Sequence, residues 1–283
     1  MLKEQEPVIH EGIRSSYSGA DLVVVGYPYD GTVSGRDGAR MGPKHVQNEM
    51  DFIETWSPYL KRDLLDCRIC DLGSMPLSYG TRERVVSAIK EEAELILADG
   101  KKILGVGGEH LISLGLIQAC ATKHRNLNII HFDAHADLRD DYMGEKLSHA
   151  TVMRRALEEL RSGSLWQFGI RSGAKDEFDV VERRSVMHCF DLQGIAGCLK
   201  KIGGDPVYLT VDLDVLDPSV FPGTGTPEPG GITYKELLAA FVEMRGVNIV
   251  GADIVELAPL LDASGASTAV ACKTLREMSL LMV

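Results

Sequence analysis

Leu22-Val-Val-Val25 is apolar at every position. A strand with one face in water alternates apolar and polar residues, whereas a strand covered on both faces of a parallel sheet runs apolar throughout. Seven further short apolar runs, several of them apolar on nearly every residue, lie at 67–72, 102–106, 127–133, 165–170, 186–190, 207–213 and 248–255. Between them the apolar period changes. Val85, Val86, Ile89, Ala93, Ile96 and Leu97 recur at helical spacing, and Gly100 stands where a glycine C-cap belongs. Thr233 and Glu236 have the form of a capping box ahead of an apolar helix over 237–244. Helices are also expected over 111–121, 150–160, 175–184 and 268–282. Strand and helix alternate along the chain, which defines an α/β class with a mainly parallel sheet between helical layers. No repeat, low-complexity tract or linker interrupts the pattern, so residues 1–283 are read as a single domain.

Composition narrows the function. With 45% hydrophobic residues among 283, the chain has ample material for a core. A net charge of -11 argues against a nucleic-acid backbone as partner, because phosphate binding needs a basic patch. The start, Met1-Leu-Lys-Glu-Gln-Glu-Pro7, has no apolar run behind a basic segment. No stretch reaches the ~18 to 20 apolar residues of a membrane span. Six cysteines in a chain this long do not suggest a disulfide scaffold, so a reducing, cytoplasmic setting is expected. Cys67-Arg-Ile-Cys70 has redox-motif spacing. On the strand expected there, positions i and i+3 face opposite sides, so the pair is read as two small buried residues.

In open parallel sheets ligands bind beyond the carboxyl ends of the strands. Three expected strands end in chemistry. Ile130-His-Phe-Asp-Ala-His-Ala-Asp137 leaves one, Val211-Asp-Leu-Asp-Val-Leu-Asp-Pro218 a second, and Gly107-Gly-Glu-His110 a third. If the chain stays extended, Asp133, His135 and Asp137 share a side, as do Asp212 and Asp214. The set His110, Asp133, His135, Asp137, Asp212 and Asp214 joins two imidazoles to four carboxylates. Four carboxylates converging without metal would repel and force some of their pKa values upward. Two divalent cations would cancel that charge. Carboxylate and imidazole ligands suit manganese or a similar first-row ion, with iron, cobalt and zinc left open by ligand type. Single aspartates often cap turns, but charge on apolar strands is costly unless it has a purpose. His131, deeper in its strand, is read as a packing or supporting residue. Gly105-Val-Gly-Gly108 lacks the Gly-Lys-Ser/Thr of a phosphate loop, so its glycines are read as allowing backbone to approach the metal site.

These motifs, with Gly223-Thr-Gly-Thr-Pro-Glu-Pro-Gly-Gly231, Asp253-Ile-Val-Glu256 and the early segment Gly26-Tyr-Pro-Tyr-Asp30 through Pro43, resemble those of the arginase/agmatinase (ureohydrolase) family in order. The likeness spans nearly the whole chain. It implies a three-layer α/β/α fold with an eight-stranded parallel sheet and a two-manganese site. One ion would take His110, Asp133, Asp137 and Asp212. The other would take His135, Asp133, Asp212 and Asp214. The resemblance also implies homotrimers or homohexamers.

Two cations sharing a water can lower its pKa enough to give hydroxide near neutral pH. Attack on a guanidinium carbon would then release urea and an amine. Asp137 is expected to hold that hydroxide as well as bind metal. His149, in Leu147-Ser-His-Ala-Thr151, matches the family's proton-shuttling histidine, although the family more commonly has His-Gly-Thr. Glu256 is expected to pair with the guanidinium. Glu109 stands where the family more often has Asp. Thr226-Pro-Glu-Pro-Gly-Gly231 is more similar to agmatinases than to arginases, which makes Glu228 a candidate substrate residue. Asp140 and Asp141 would disfavour an α-carboxylate and favour an ammonium tail. The expected partner is therefore a small cationic guanidino substrate, with no nucleic acid and no membrane. Agmatine, giving putrescine and urea, is the leading reading. Guanidinobutyrase, guanidinopropionase, arginase and formimidoylglutamase activities are the alternatives. A related single-zinc deacetylase fits the paired aspartate motifs and Glu256 less well. A non-catalytic metal-binding regulator is disfavoured because every candidate ligand is present with His149 and Glu256.

Overall fold

A computed structural model describes residues 4–77, 80–179 and 185–283. All eight expected strands form: β1 (Leu22–Tyr27), β4 (Ile69–Ser74), β5 (Lys102–Gly107), β6 (Asn128–Phe132), β7 (Leu165–Ile170), β8 (Ser185–Cys189), β9 (Val207–Asp212) and β10 (Ile249–Val255). Two short strands, β2 (Trp56–Ser57) and β3 (Arg62–Asp63), pair antiparallel apart from the main sheet. The sheet order is β4-β1-β5-β10-β9-β6-β7-β8, and every pairing in it is parallel. β1, β7, β9 and β10 are buried at every residue, as continuous apolar runs require.

The helices are α1 (Gly42–Glu49), α2 (Arg82–Ala98), α3 (Ile112–Lys123), α4 (Val152–Glu159), α5 (Lys175–Asp179), α6 (Ile195–Ile202), α7 (Tyr234–Glu243) and α8 (Ala266–Met282). α2, α3 and α4 pack side by side over one face of the sheet, and α1, α8, α7 and α6 over the other. Two apolar cores result, one on each side. The capping box at Thr233 is present, with Thr233 accepting from Glu236 N–H and Glu236 reaching back to Thr233 N–H. Of the helix expected over 175–184, Lys175–Asp179 forms, and 180–184 lie outside the described residues.

Three local expectations are corrected. Cys67 lies ahead of β4, behind a 3-10 turn at Leu64–Asp66, and its half-buried thiol donates to the Asp63 carbonyl at 3.3 Å. Only Cys70 sits buried in the strand, and all six thiols are free. Second, the chain does not stay extended past β6 or β9. Asp137 adopts a left-handed φ of 54°, and Asp212 caps a 3-10 turn over Leu213–Val215 by accepting from Asp214 N–H at 2.9 Å. Turns, rather than strand alternation, gather these carboxylates. Third, Gly108 serves a backbone approach to β1: a Cβ there would stand 1.9 Å from the Tyr29 carbonyl oxygen. Gly108 N–H and Glu109 N–H donate to the Tyr27 and Tyr29 carbonyls at 2.9 and 2.7 Å, zipping the two strand exits together.

Candidate metal centre

The expected ligands leave β5, β9 and β6, and Glu256 leaves β10. These are the four contiguous central strands, in the order β5-β10-β9-β6. Adjacent parallel strands end side by side, so residues far apart in sequence arrive at one edge.

His110 is fully buried. Its Nε2 lies 2.9 Å from Thr210 Oγ1, and that hydroxyl donates to Asp253 Oδ1 at 2.6 Å. Tyr208 donates to the other Asp253 oxygen. With its proton committed to Asp253, Thr210 can only accept from His110, which places a proton on Nε2. Nδ1 is buried without a hydrogen-bond partner. It faces Asp133 Oδ2 at 3.1 Å, Asp137 Oδ2 at 3.2 Å and Asp212 Oδ2 at 3.4 Å. A lone pair facing three carboxylate oxygens needs a cation between them. Burial opposes charge on His110, but the three carboxylates outweigh it and raise its basicity well above the usual histidine range. Without metal, a proton takes the cation's place. The first expected ligand set is thus gathered around one buried nitrogen.

A second group adjoins it. His135 Nδ1 lies 3.1 Å from Asp214 Oδ2 and 3.5 Å from Asp133 Oδ1. Asp133 therefore turns one oxygen to each histidine, the arrangement a bridging carboxylate needs. Asp212 reaches the His110 side, while its other oxygen accepts from Asp214 N–H. Burial raises Asp212 well above the carboxylate range, with Asp214 and Asp133 adding to it, and pushes Asp137 up to about 7, aided by Asp133. Such crowding favours cation binding.

His131 Nε2 stands 2.8 Å from Asp133 Oδ2, close enough to be counted with His110 and Asp133 as a metal group. Hydrogen bonding argues otherwise. Gln167 Nε2 donates to the Ala136 carbonyl at 2.7 Å and to His131 Nδ1 at 3.1 Å. A carbonyl can only accept, so the amide orientation is set and His131 Nδ1 is an acceptor. The His131 proton then sits on Nε2 and donates to Asp133, which makes His131 a support for that carboxylate.

A cavity of about 220 Å³ opens over the centre, lined among others by His110, His135, Asp137, Asp212, Asp214, His149 and Glu256. Glu256 has a left-handed φ of 66°, and its Oε1 accepts from His110 N–H at 2.9 Å. Burial, then Glu109 and Asp214, hold its carboxyl well above the ordinary range, so a cationic ligand beside it would be welcome. His149 opens a 3-10 turn, and burial lowers its pKa to about 4, with His135 adding to the effect. Glu228 does not line the cavity. Its carboxylate accepts from Ser172 Oγ at 2.9 Å, and its backbone carbonyl accepts from Arg171. Asp140 pairs with Arg155 at 2.7 Å, and Asp141 accepts from Gly144 N–H. The cavity lining includes instead Arg139, Tyr142 and Glu177.

Sequence reading gave no role to Asp253, quoted only within its motif, and passed over Thr210, Gln167, Thr32 and Ser34. Thr210 was within reach: it precedes Asp212 by two and shares its strand side.

The parallel sheet and the mixed histidine–aspartate set at its central edge define a class of α/β hydrolases built for divalent cations. The chain belongs to the arginase family, whose pattern it matches over residues 20–281. It is 46% identical over 272 residues to the agmatinase of Bacillus subtilis (strain 168), covering 94% of this chain and 93% of that one. It is 33% identical over 271 residues to the guanidinobutyrase of Pseudomonas aeruginosa, covering 91% and 85%. A crystal structure from Clostridium difficile superposes with a TM-score of 0.90 at 44% identity, covering 94% of this chain and 98% of that one. The protein is accordingly a ureohydrolase-type enzyme. Among the described residues, no helix is long and apolar enough to cross a membrane.

Proposed function

We propose that this enzyme hydrolyses agmatine to putrescine and urea, with two manganese ions held by His110, Asp133, Asp137, Asp212, His135 and Asp214. The observation that carries the metal reading is the unpartnered His110 Nδ1 facing three carboxylate oxygens. When bound, the ions supply a water acidic enough to attack near neutral pH. Asp137, on the cavity wall, would hold that water by accepting its hydrogen bond. Glu256, on the cavity wall, orients the guanidinium, whose positive charge favours the carboxylate form that burial, Glu109 and Asp214 oppose. His149, neutral at physiological pH, carries a proton to the leaving amine.

Agmatine rests on the agmatinase relatives, since Asp140 and Asp141 are spent on other partners. One observation favours a second reading. Arg139 lines the cavity, and a guanidinium there suits the carboxylate tail of guanidinobutyrate. Against that, Glu177 Oε2 lies 3.4 Å from Arg139 Nε and offsets its charge. A panel of agmatine, arginine and guanidinobutyrate with urea detection decides. Urea from none of them with added manganese rejects the proposal, and a preference for guanidinobutyrate replaces agmatine. We also propose a cytoplasmic homotrimer or homohexamer, and light scattering on the purified protein tests its oligomeric state.

A further inference from the structure

His149 is held from outside its own turn. Asp30 accepts from Gly38 N–H at 3.0 Å and Arg40 N–H at 3.3 Å, and pairs with the Arg40 guanidinium at 3.4 Å. These contacts close the segment that presents Thr32 and Ser34. Glu109, fully buried, accepts from Thr32 N–H at 2.8 Å and from the Thr32 hydroxyl. Thr32 Oγ1 also accepts from His149 N–H at 3.0 Å and lies 3.3 Å from His149 Nδ1.

A hydroxyl has one proton and two lone pairs. Thr32 gives its proton to Glu109 and one lone pair to His149 N–H, so only an acceptor remains for His149 Nδ1. Nδ1 must then carry the ring proton. Nε2 keeps its lone pair, facing the cavity wall beside Ser34 Oγ at 3.1 Å. We propose that Glu109, acting through the Thr32 hydroxyl, is a positioning residue that holds His149 in the Nδ1–H form and leaves Nε2 as the proton-carrying nitrogen. When Nε2 takes a proton, the positive charge on the ring meets the Glu109 carboxylate through Thr32. When Nε2 returns it to the amine nitrogen, the original form is restored and nothing else is consumed. A departure from the commoner Asp thereby gains a purpose: the longer Glu109 side chain spans to Thr32.

The inference rests on the reading that His149 carries a proton, and two measurements separate the two ideas. The tautomer is read in metal-free protein labelled with ¹⁵N-histidine, by long-range ¹⁵N–¹H correlation, with His149 assigned from its loss in His149→Asn. The spectra are recorded at pH 9, well above the ordinary carboxylate range. The expected signal is a protonated Nδ1 and an unprotonated Nε2, becoming mixed in Thr32→Val. An Nε2–H ring in the parent protein overturns the proposal, and this holds even if Thr32→Val fails to fold. In manganese-loaded enzyme, Thr32→Val should lower kcat on the order of tenfold or more, with KM and metal content unchanged, and Thr32→Ser should restore it. Full kcat in Thr32→Val also overturns it. Full kcat in His149→Asn, by contrast, rejects the proton-carrying role and leaves the tautomer assignment standing.

Discussion

Thr210 Oγ1 lies 2.9 Å from Nε2 of His110, and this contact decides which ring nitrogen faces the carboxylates. Sheet register builds it. Thr210 on β9 pairs with Asp253 on β10, so the hydroxyl has its acceptor directly across the strand. Thr210→Val preserves the branched shape that a strand favours but removes the relay. Manganese affinity should weaken by about 10- to 100-fold. Stability should fall by about 1–3 kcal/mol, because Asp253 and His110 each lose a buried partner. Titration calorimetry with manganese gives the answer, and unchanged affinity would remove this role from Thr210.

Stability without metal should depend on Asp137 in a direction set by its environment. Its folded value of about 7 lies above the ordinary 3.8. Between the two, the folded state keeps a proton that the unfolded state has released. Asp137 therefore lowers stability progressively as pH rises from about 4 to about 7, with no further loss above. Asparagine is neutral throughout. In chelator-treated protein, Asp137→Asn should raise Tm at pH 8 but leave it nearly unchanged at pH 4. In manganese-loaded protein the same substitution removes a ligand and should lower Tm. A metal-free variant no more stable than its parent at pH 8 would show that the Asp137 charge is not costly there.

Glu256 is expected to act on substrate while leaving the metals in place. Its backbone leaves β10 in the left-handed region, held by Glu256 N–H donating to the Gly108 carbonyl at 2.9 Å. Glu256→Gln keeps an acceptor for His110 N–H and removes the charge that pairs with a guanidinium. kcat/KM for the preferred guanidino substrate should fall by about 100-fold, a loss of 2–3 kcal/mol for a charged hydrogen-bonded pair, with two metals still bound. Loss of metal in step with activity would make Glu256 part of the metal scaffold instead.

The strands were legible because a strand covered on both faces runs apolar at most positions, and that signal survives without any tertiary knowledge. α1 and α6 were not. α1 opens with Gly42-Pro43 and buries only Gly42, Pro43 and Val46, and α6 is eight residues long with Gly197 inside it. Short helices broken by glycine or proline give little periodicity to read. The candidate metal ligands stood out as charge at the ends of apolar runs. Their supports did not, because Thr210, Gln167 and Thr32 are ordinary polar residues. Their histidine partners lie 100, 36 and 117 residues away and meet them only in the fold. The shared-side argument for Asp133 to Asp137 named residues that do converge, but by the wrong geometry, since it assumed an extended chain where Asp137 turns left-handed.

Two glycines should respond to alanine in opposite directions, for reasons visible in their surroundings. At Gly108 an added Cβ would stand 1.9 Å from the Tyr29 carbonyl oxygen and 2.7 Å from its carbon. Both atoms are backbone, so the strand exits must separate, breaking the hydrogen bonds of Gly108 and Glu109 to Tyr27 and Tyr29. That displaces His110 two residues on. Gly108→Ala should cost several kcal/mol, about the upper range for a single substitution, and weaken manganese binding with it. At Gly197, inside α6, an added Cβ would meet nothing within 4 Å, and the backbone is helical. Gly197→Ala should stabilise by about 0.5–1 kcal/mol through lower unfolded-chain entropy and better helix propensity, with activity unchanged. Denaturant unfolding of the two variants beside the parent tests both signs. A tolerated Gly108→Ala with intact metal binding would mean that the exits of β1 and β5 do not hold His110 in place.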